Sequence, residues 1–209
     1  MLMERPDNYA LQMQAAQRRF LTYDQEKIIA KFHIPYDAQY FYPVLLGRQY
    51  RLHRGSGTLE IRKEGTWQDA NRFHPVMVLL DILCDSADVR YLTGTLKNMK
   101  DFGLQFHRNL LEDTRDPVAD TVDATPQAFR EACEALGGKP IPGGDIGYAI
   151  EVFDGLAIGL RFWHGDEDFA PKIHYYWDEN ALQYLRYETM YYAVGLLLSQ
   201  LREESLLFW

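Results

Sequence analysis

The densest chemistry in the chain lies between positions 164 and 178, where His164-Gly165-Asp166-Glu167-Asp168 is followed by His174 and Asp178. Clustered carboxylates suit Ca²⁺, Mg²⁺ or Mn²⁺, and the imidazoles widen the choice to Zn²⁺ or Fe²⁺. One expectation is therefore a divalent metal held by His164, Asp166, Glu167, Asp168 and His174. Such a metal would acidify a bound water and make a hydrolytic nucleophile. The pattern matches neither an EF-hand calcium loop nor a His-Glu-x-x-His zinc helix. The other expectation is a solvated turn between two strands, where Gly and Asp belong whether or not anything binds.

Upstream, Gly143-Gly144-Asp145-Ile146-Gly147 offers backbone N–H groups that can cradle an anion. Gly143, Gly144 and Asp145, with the Trp163 ring, make a candidate cofactor site. The segment lacks the Lys-Ser/Thr of a P-loop and the Gly-x-Gly-x-x-Gly order of a dinucleotide site. It also leads into a strand, so glycines that simply let the chain turn are the competing explanation. Asp145, Glu151 and Arg161 occupy neighbouring positions of a predicted hairpin and are expected to pair across it.

The remaining reactive residue types carry no signature. Ser56, Ser86, Ser199 and Ser205 sit in no Gly-x-Ser-x-Gly context. Cys84 and Cys133 lie in apolar stretches, without a neighbour in sequence that would lower a thiol pKa. Two thiols cannot complete a four-cysteine zinc or iron–sulphur site, and their scarcity points to a reducing compartment. His33, His53, His74 and His107 are scattered and read as strand or surface residues. No complete catalytic signature is present.

The elements that must position these residues follow from periodicity. Residues 7–21 predict a helix with Asp7 as N-cap and Tyr9, Met13, Ala16 and Phe20 on one face. Residues 28–34, rich in β-branched and aromatic types, predict a strand. Strands are also expected over 40–46 and 48–54, followed by a Gly55-Ser56-Gly57 turn and a further strand around Leu59 and Ile61. The apolar run 75–83 predicts a buried helix opened by Pro75. Residues 89–101 read as a link and 105–112 as a helix. The acidic stretch 112–125 reads as a surface loop. Thr125-Pro126 to Gly137-Gly138 brackets a helix. Strands over 147–153 and 156–163 flank Asp154-Gly155, a typical two-residue hairpin turn, and a third strand spans 173–177. The closing helix, 185–204, carries an apolar stripe of Tyr187, Met190, Tyr191, Val194, Leu197, Leu198 and Leu201, expected to bury against the sheet.

These elements predict one α+β domain over 1–209, with a mainly antiparallel sheet and about three or four packed helices. The composition narrows the function classes. The 209 residues carry 22 basic against 30 acidic side chains, a net of −8. That balance disfavours nucleic acid and anionic membrane surfaces as partners. The opening residues lack a basic segment followed by an apolar run, and no stretch reaches the roughly 18 apolar residues of a membrane span. A cytoplasmic location is expected. Aromatics reach 14%, a proportion that suits either a half-wet core or a ligand-lining wall. The apolar tail 206–209 is expected to dock on the body of the protein, on a second copy as a homodimer, or on a protein partner.

Two stretches carry a family resemblance. Leu92-Thr93-Gly94-Thr95 with Phe102 follows an apolar helix. Gly144-Asp145 leads through Phe162-Trp163, Gly165-Asp166-Glu167-Asp168-Phe169 and Pro171 to Tyr184-Leu185 and Glu188. Together with Leu46-Gly47-Arg48-Gln49-Tyr50, they resemble an uncharacterised family of anaerobic bacteria known only as domain of unknown function 3786. The resemblance would span most of the chain. It implies a setting near iron–sulphur or corrinoid-type anaerobic metabolism and supplies no catalytic residues. Two functions are expected to compete: a non-catalytic accessory protein binding a small ligand or a partner, and a metal-dependent hydrolase using the acidic turn 164–168.

Overall fold

The structure, a computed structural model, describes residues 7–102 and 117–205. The N-terminal half opens with α1 (Asn8–Thr22), capped by the Asp7 carboxylate accepting the Tyr9 N–H at 3.3 Å, and α2 (Gln25–Phe32). Five short strands follow: β1 (Tyr40–Phe41), β2 (Val44–Leu45), β3 (Arg48–His53), β4 (Leu59–Lys63) and β5 (Thr66–Asp69). Helix α3 (Phe73–Asp85) and strand β6 (Leu96–Asn98) come next. Beyond lie α4 (Pro117–Ala124), α5 (Pro126–Ala135), β7 (Lys139–Pro140), β8 (Ile146–Phe153), β9 (Leu156–Trp163), β10 (Lys172–Asp178) and α6 (Tyr187–Ser205).

The strands form two sheets, and every pairing is antiparallel. The first has the order β1-β3-β4-β5, with β2 also paired to β3; the second runs β6-β10-β9-β8-β7. The α+β class expected from sequence is thus what the chain adopts, with six helices among the described residues. The buried side chains form one hydrophobic cluster that includes Phe20, Phe41, Leu79, Phe129, Phe162 and Trp177. The two sheets meet where the Leu46 N–H donates to the Val152 carbonyl at 3.1 Å. Among the described residues, no helix is long and apolar enough to cross a membrane.

The structure corrects several local expectations. Residues 25–32 are helical, not a strand. The Asp24 carboxylate caps that helix by accepting the Glu26 N–H at 3.1 Å, and Ile28 and Phe32, one turn apart, are the residues it buries. Spacing outweighs the β-branched composition, because a one-sided burial at i and i+4 needs a helix. The acidic stretch is also partly helical: α4 buries Ala119 and Val122, three residues apart. The link 89–101 contains the edge strand β6. Thr125 does not cap α5 with its side chain; its hydroxyl donates back to the Thr121 carbonyl at 2.7 Å. Finally, α6 packs chiefly on α3 and α5, not flat on a sheet. The expected helix at 105–112 and the tail 206–209 fall outside the described residues.

Candidate functional site

The β8–β9 hairpin brings the two sequence-predicted segments together. Asp154 and Gly155 both take positive φ, 54° and 79°, as a two-residue hairpin turn of this type requires. The ladder then places Ile146 opposite Phe162. Asp145 therefore reaches the far end of β9, where its carboxylate accepts the His164 N–H at 2.8 Å. His164 Nδ1 in turn lies 2.7 Å from Asp123 Oδ1 on α4. The glycines serve this junction. Gly143 and Gly144 have φ of 101° and 75°, and a Cβ on Gly144 would lie 2.5 Å from the Phe162 carbonyl oxygen. The Asp145 N–H is taken up by that same carbonyl at 2.8 Å. The glycine-rich segment is thus pressed against β9.

The acidic turn closes on itself. Asp166 Oδ1 accepts the N–H groups of Asp168 at 2.9 Å and Phe169 at 2.8 Å, and the Asp166 N–H donates to the Phe169 carbonyl. Glu167 and Asp168 face solvent. His174 stands on β10 with its ring 5.2 Å from that of Trp163. Burial first, then Lys100 and Lys172, lower its pKa. Among the described residues, no three His, Cys, Asp or Glu side chains form a group that could hold a metal ion, these five included. The expected ion pairs across the hairpin are replaced by other contacts. Glu151 accepts the Gly155 N–H at 2.8 Å, and the Arg161 guanidinium lies 4.4 Å over the Tyr176 ring. Asp178 organises the Leu92–Thr95 stretch instead, accepting the Gly94 N–H at 2.7 Å.

Two cavities lie elsewhere. One, between α1, α3 and α6, has a polar wall whose members satisfy one another. Asp81 accepts from Arg19 at 2.7 Å and from the Thr189 hydroxyl at 2.6 Å, while Asp85 holds both Arg19 and Arg186. Of this set only Arg19 Nε is buried without a partner. That arrangement reads as a clamp between helices.

The second cavity, of about 360 Å³, opens between β3–β5, the first turn of α3 and the C-terminal half of α6. Leu196, Ser199, Gln200 and Glu203 reach it from one face of α6, at i, i+3, i+4 and i+7. Tyr50 and Ile61, paired across the β3–β4 ladder, supply another wall. Gln200 and Tyr50 are each 2% exposed. Gln200 Nε2 donates to the Tyr50 hydroxyl at 3.0 Å, and burial pushes the Tyr50 pKa up to about 12. Gln200 Oε1 is buried without a partner. On one side of the mouth, Arg48 and Lys63 share Glu203, at 2.7 and 2.9 Å, and Arg48 also holds Glu204. Arg72 and His74 also line the cleft. The His74 ring packs over Gly195 and stacks on Tyr192, and this partial burial lowers its pKa. Sequence reasoning missed this cleft. The available signals were a glutamine inside the apolar stripe of α6 and a helix start at Arg72-Phe73-His74 without a Ser, Thr, Asp or Asn cap.

Fold and cleft together define an α+β protein of two antiparallel sheets with a polar-floored cavity under its last helix. The chain belongs to the domain of unknown function family DUF3786, whose model matches residues 24–200. No curated protein and no solved structure matches the chain.

Proposed function

We propose that this protein is a non-catalytic binding protein for a small polar ligand seated in the cleft between β3–β5, α3 and α6. The observation that carries the reading is Gln200, an almost fully buried amide with its Oε1 unpaired at the cleft wall. Leaving such a group unsatisfied costs about 1–3 kcal/mol; the oxygen lies just beneath the accessible wall of the cleft, and a ligand donor that the amide turns to meet relieves that cost. The cavity volume sits at the low end of small-molecule sites, which start at about 300 Å³. The candidate nucleophiles of the chain favour binding over turnover. Ser199 spends its hydroxyl on the Gly195 carbonyl at 3.0 Å. Burial pushes the Cys84 thiol up to about 11 and the Cys133 thiol higher still, so neither is a ready nucleophile. Both thiols are free, which supports a reducing, cytoplasmic setting. An accessory role in the metabolism of an anaerobic bacterium, with the tail 206–209 docking a second copy or a partner, completes the proposal.

A thermal-shift screen of the full chain against neutral and charged small metabolites tests it, together with the double variant Tyr50→Phe/Gln200→Leu. Replacing both members of a buried hydrogen bond by apolar groups of similar shape is nearly neutral. The variant is therefore expected to stay within about 1 kcal/mol of the parent stability while losing the shift that a bound compound gives the parent. If no compound shifts the parent, or if the double variant loses more than about 2 kcal/mol, Gln200 is a structural residue and the reading is wrong.

A further inference from the structure

We infer that the loop 87–95 and the turn 180–183 form a docking surface for a second protein, one that presents an apolar spot ringed by lysine or arginine. This surface is separate from the cleft and does not depend on it.

The loop has no helix or strand of its own, and every residue in it except Arg90 is exposed. Its outward side chains include Val89, Tyr91 and Leu92, exposed by 87%, 61% and 37%, and Leu182 adds a fourth at 52%. The backbone beneath them is fastened. The Ala87 N–H donates to the Gln183 carbonyl at 2.7 Å, the Tyr91 N–H to Gln183 Oε1 at 3.2 Å, and Asn180 Nδ2 to the Tyr91 carbonyl at 3.3 Å. These bonds set Tyr91 against 180–183 and bring Leu182 into the same patch. Asp178 holds the far end of the loop by accepting the Gly94 N–H at 2.7 Å. Leu92 Cδ1 lies 3.4 Å from where a Cβ on Gly155 would stand, so the patch extends to the β8–β9 turn. Apolar side chains gathered on one exposed surface mark an interaction site. A loop already held from below also loses little freedom when it is covered, which is the preorganisation that recognition needs.

The rim decides the partner. Its cations are turned inward. Arg90 donates to Asp154 at 2.8 Å and lies 4.5 Å over the Phe32 ring. Lys31, its side chain 6% exposed, donates to the Ser86 carbonyl at 2.6 Å. Lys97 and Arg186, the next cations along the sequence, lie over the Phe102 ring and on Asp85. The carboxylates of Asp88, 83% exposed, and of Glu179 face outward. An apolar centre with an acidic rim is complemented by an apolar centre with a basic rim. A second copy, itself of net −8, and an anionic membrane are both repelled by that rim.

Fluorescence anisotropy on the full chain tests this with a labelled amphipathic peptide of leucine and lysine, and with its leucine–glutamate counterpart. The lysine peptide should bind, more weakly as salt rises, and the glutamate peptide should not. Val89→Ser/Leu182→Ser should weaken the lysine peptide by about tenfold or more, and Tyr91→Ser by a similar factor. Asp88→Asn/Glu179→Gln should weaken it and flatten its salt dependence. The melting temperature should hold in all three, because these side chains face solvent. Glu64→Gln/Asp168→Asn, which removes two exposed acids elsewhere, should bind as the parent does. Failure of the lysine peptide to bind, equal binding of the two peptides, or binding that the patch variants leave unchanged overturns the inference. So does a dimer in sedimentation velocity that Val89→Ser/Leu182→Ser abolishes, which would give the surface to a second copy. Binding to phosphatidylcholine vesicles that the same variant abolishes would give it to a membrane instead and overturn it equally. None of these results bears on the cleft.

Discussion

Replacing Asp81 with alanine is expected to lower the unfolding free energy by about 3 kcal/mol, the low end of what breaking a buried ion pair costs. Asp81 is 2% exposed on α3 and accepts from Arg19 of α1 and from Thr189 of α6. Thr189 is itself 1% exposed. The alanine variant therefore strands a buried hydroxyl and one guanidinium nitrogen at a three-helix junction. The low end applies because Arg19 keeps its contact with Asp85 and 31% of its side chain in reach of water. Asp81→Asn, which keeps the shape and an acceptor oxygen, should lose about half as much. Urea denaturation reads both variants. A double-mutant cycle with Thr189→Val should return a coupling of about 1 kcal/mol. A loss below about 1 kcal/mol for Asp81→Ala would mean that apolar packing and the Arg19–Asp85 pair hold the three helices without Asp81.

A second large effect is expected at Gly47. Its φ is 73°, and a Cβ there would lie 2.5 Å from the Leu136 carbonyl oxygen and 2.9 Å from its carbonyl carbon. Left-handed backbone costs an L-residue about 1–2 kcal/mol, and overpacking adds about 1–3 kcal/mol. The obstacle is backbone, which cannot rotate out of the way, so Gly47→Ala should cost about 3 kcal/mol in all. Gly65 supplies the control. Its φ is 80° but nothing lies within 4 Å of its added Cβ. Gly65→Ala should therefore show only the backbone part, about 1 kcal/mol. Equal losses at the two sites would remove the close approach of the β2–β3 turn to the end of α5.

What was legible in the sequence divides along physical lines. Elements with clean periodicity or sharp punctuation were readable: α1 with its Asp7 cap, the Asp154-Gly155 hairpin, and the long stripe of α6. Even the meeting of Asp145 with His164 was within reach, because a two-residue turn at 154–155 fixes which residues face each other along β8 and β9. The irregularity between Glu151 and Phe153 shifts that count by one residue. The run 28–34 misled because Ile28, Ile29 and Ile34 favour strands by composition, while Ile28 and Phe32 bury on a helical face. The acidity of 112–125 hid Ala119 and Val122 in the same way.

The cleft was not legible, for a different reason. Its walls come from positions 48–63, 68–75 and 196–203, joined only by tertiary packing. Gln200 is exceptional only once it is known to be buried, since a glutamine on an exposed helix face would call for no explanation. The acidic turn drew attention because its chemistry is contiguous in sequence, and its carboxylate at Asp166 proves to be closing the turn.

The proposed ligand site is the cleft and not the acidic turn. A two-dimensional ¹H–¹⁵N NMR titration of the full chain with the strongest binder among the neutral and charged small metabolites tests this directly. The largest shifts are expected on the Gln200 side-chain amide and on the backbone amides of Phe73 and His74, with Trp163 and His174 unmoved. Shifts confined to Trp163, His164 and His174, with Gln200 silent, would contradict it and return attention to the β8–β9 hairpin.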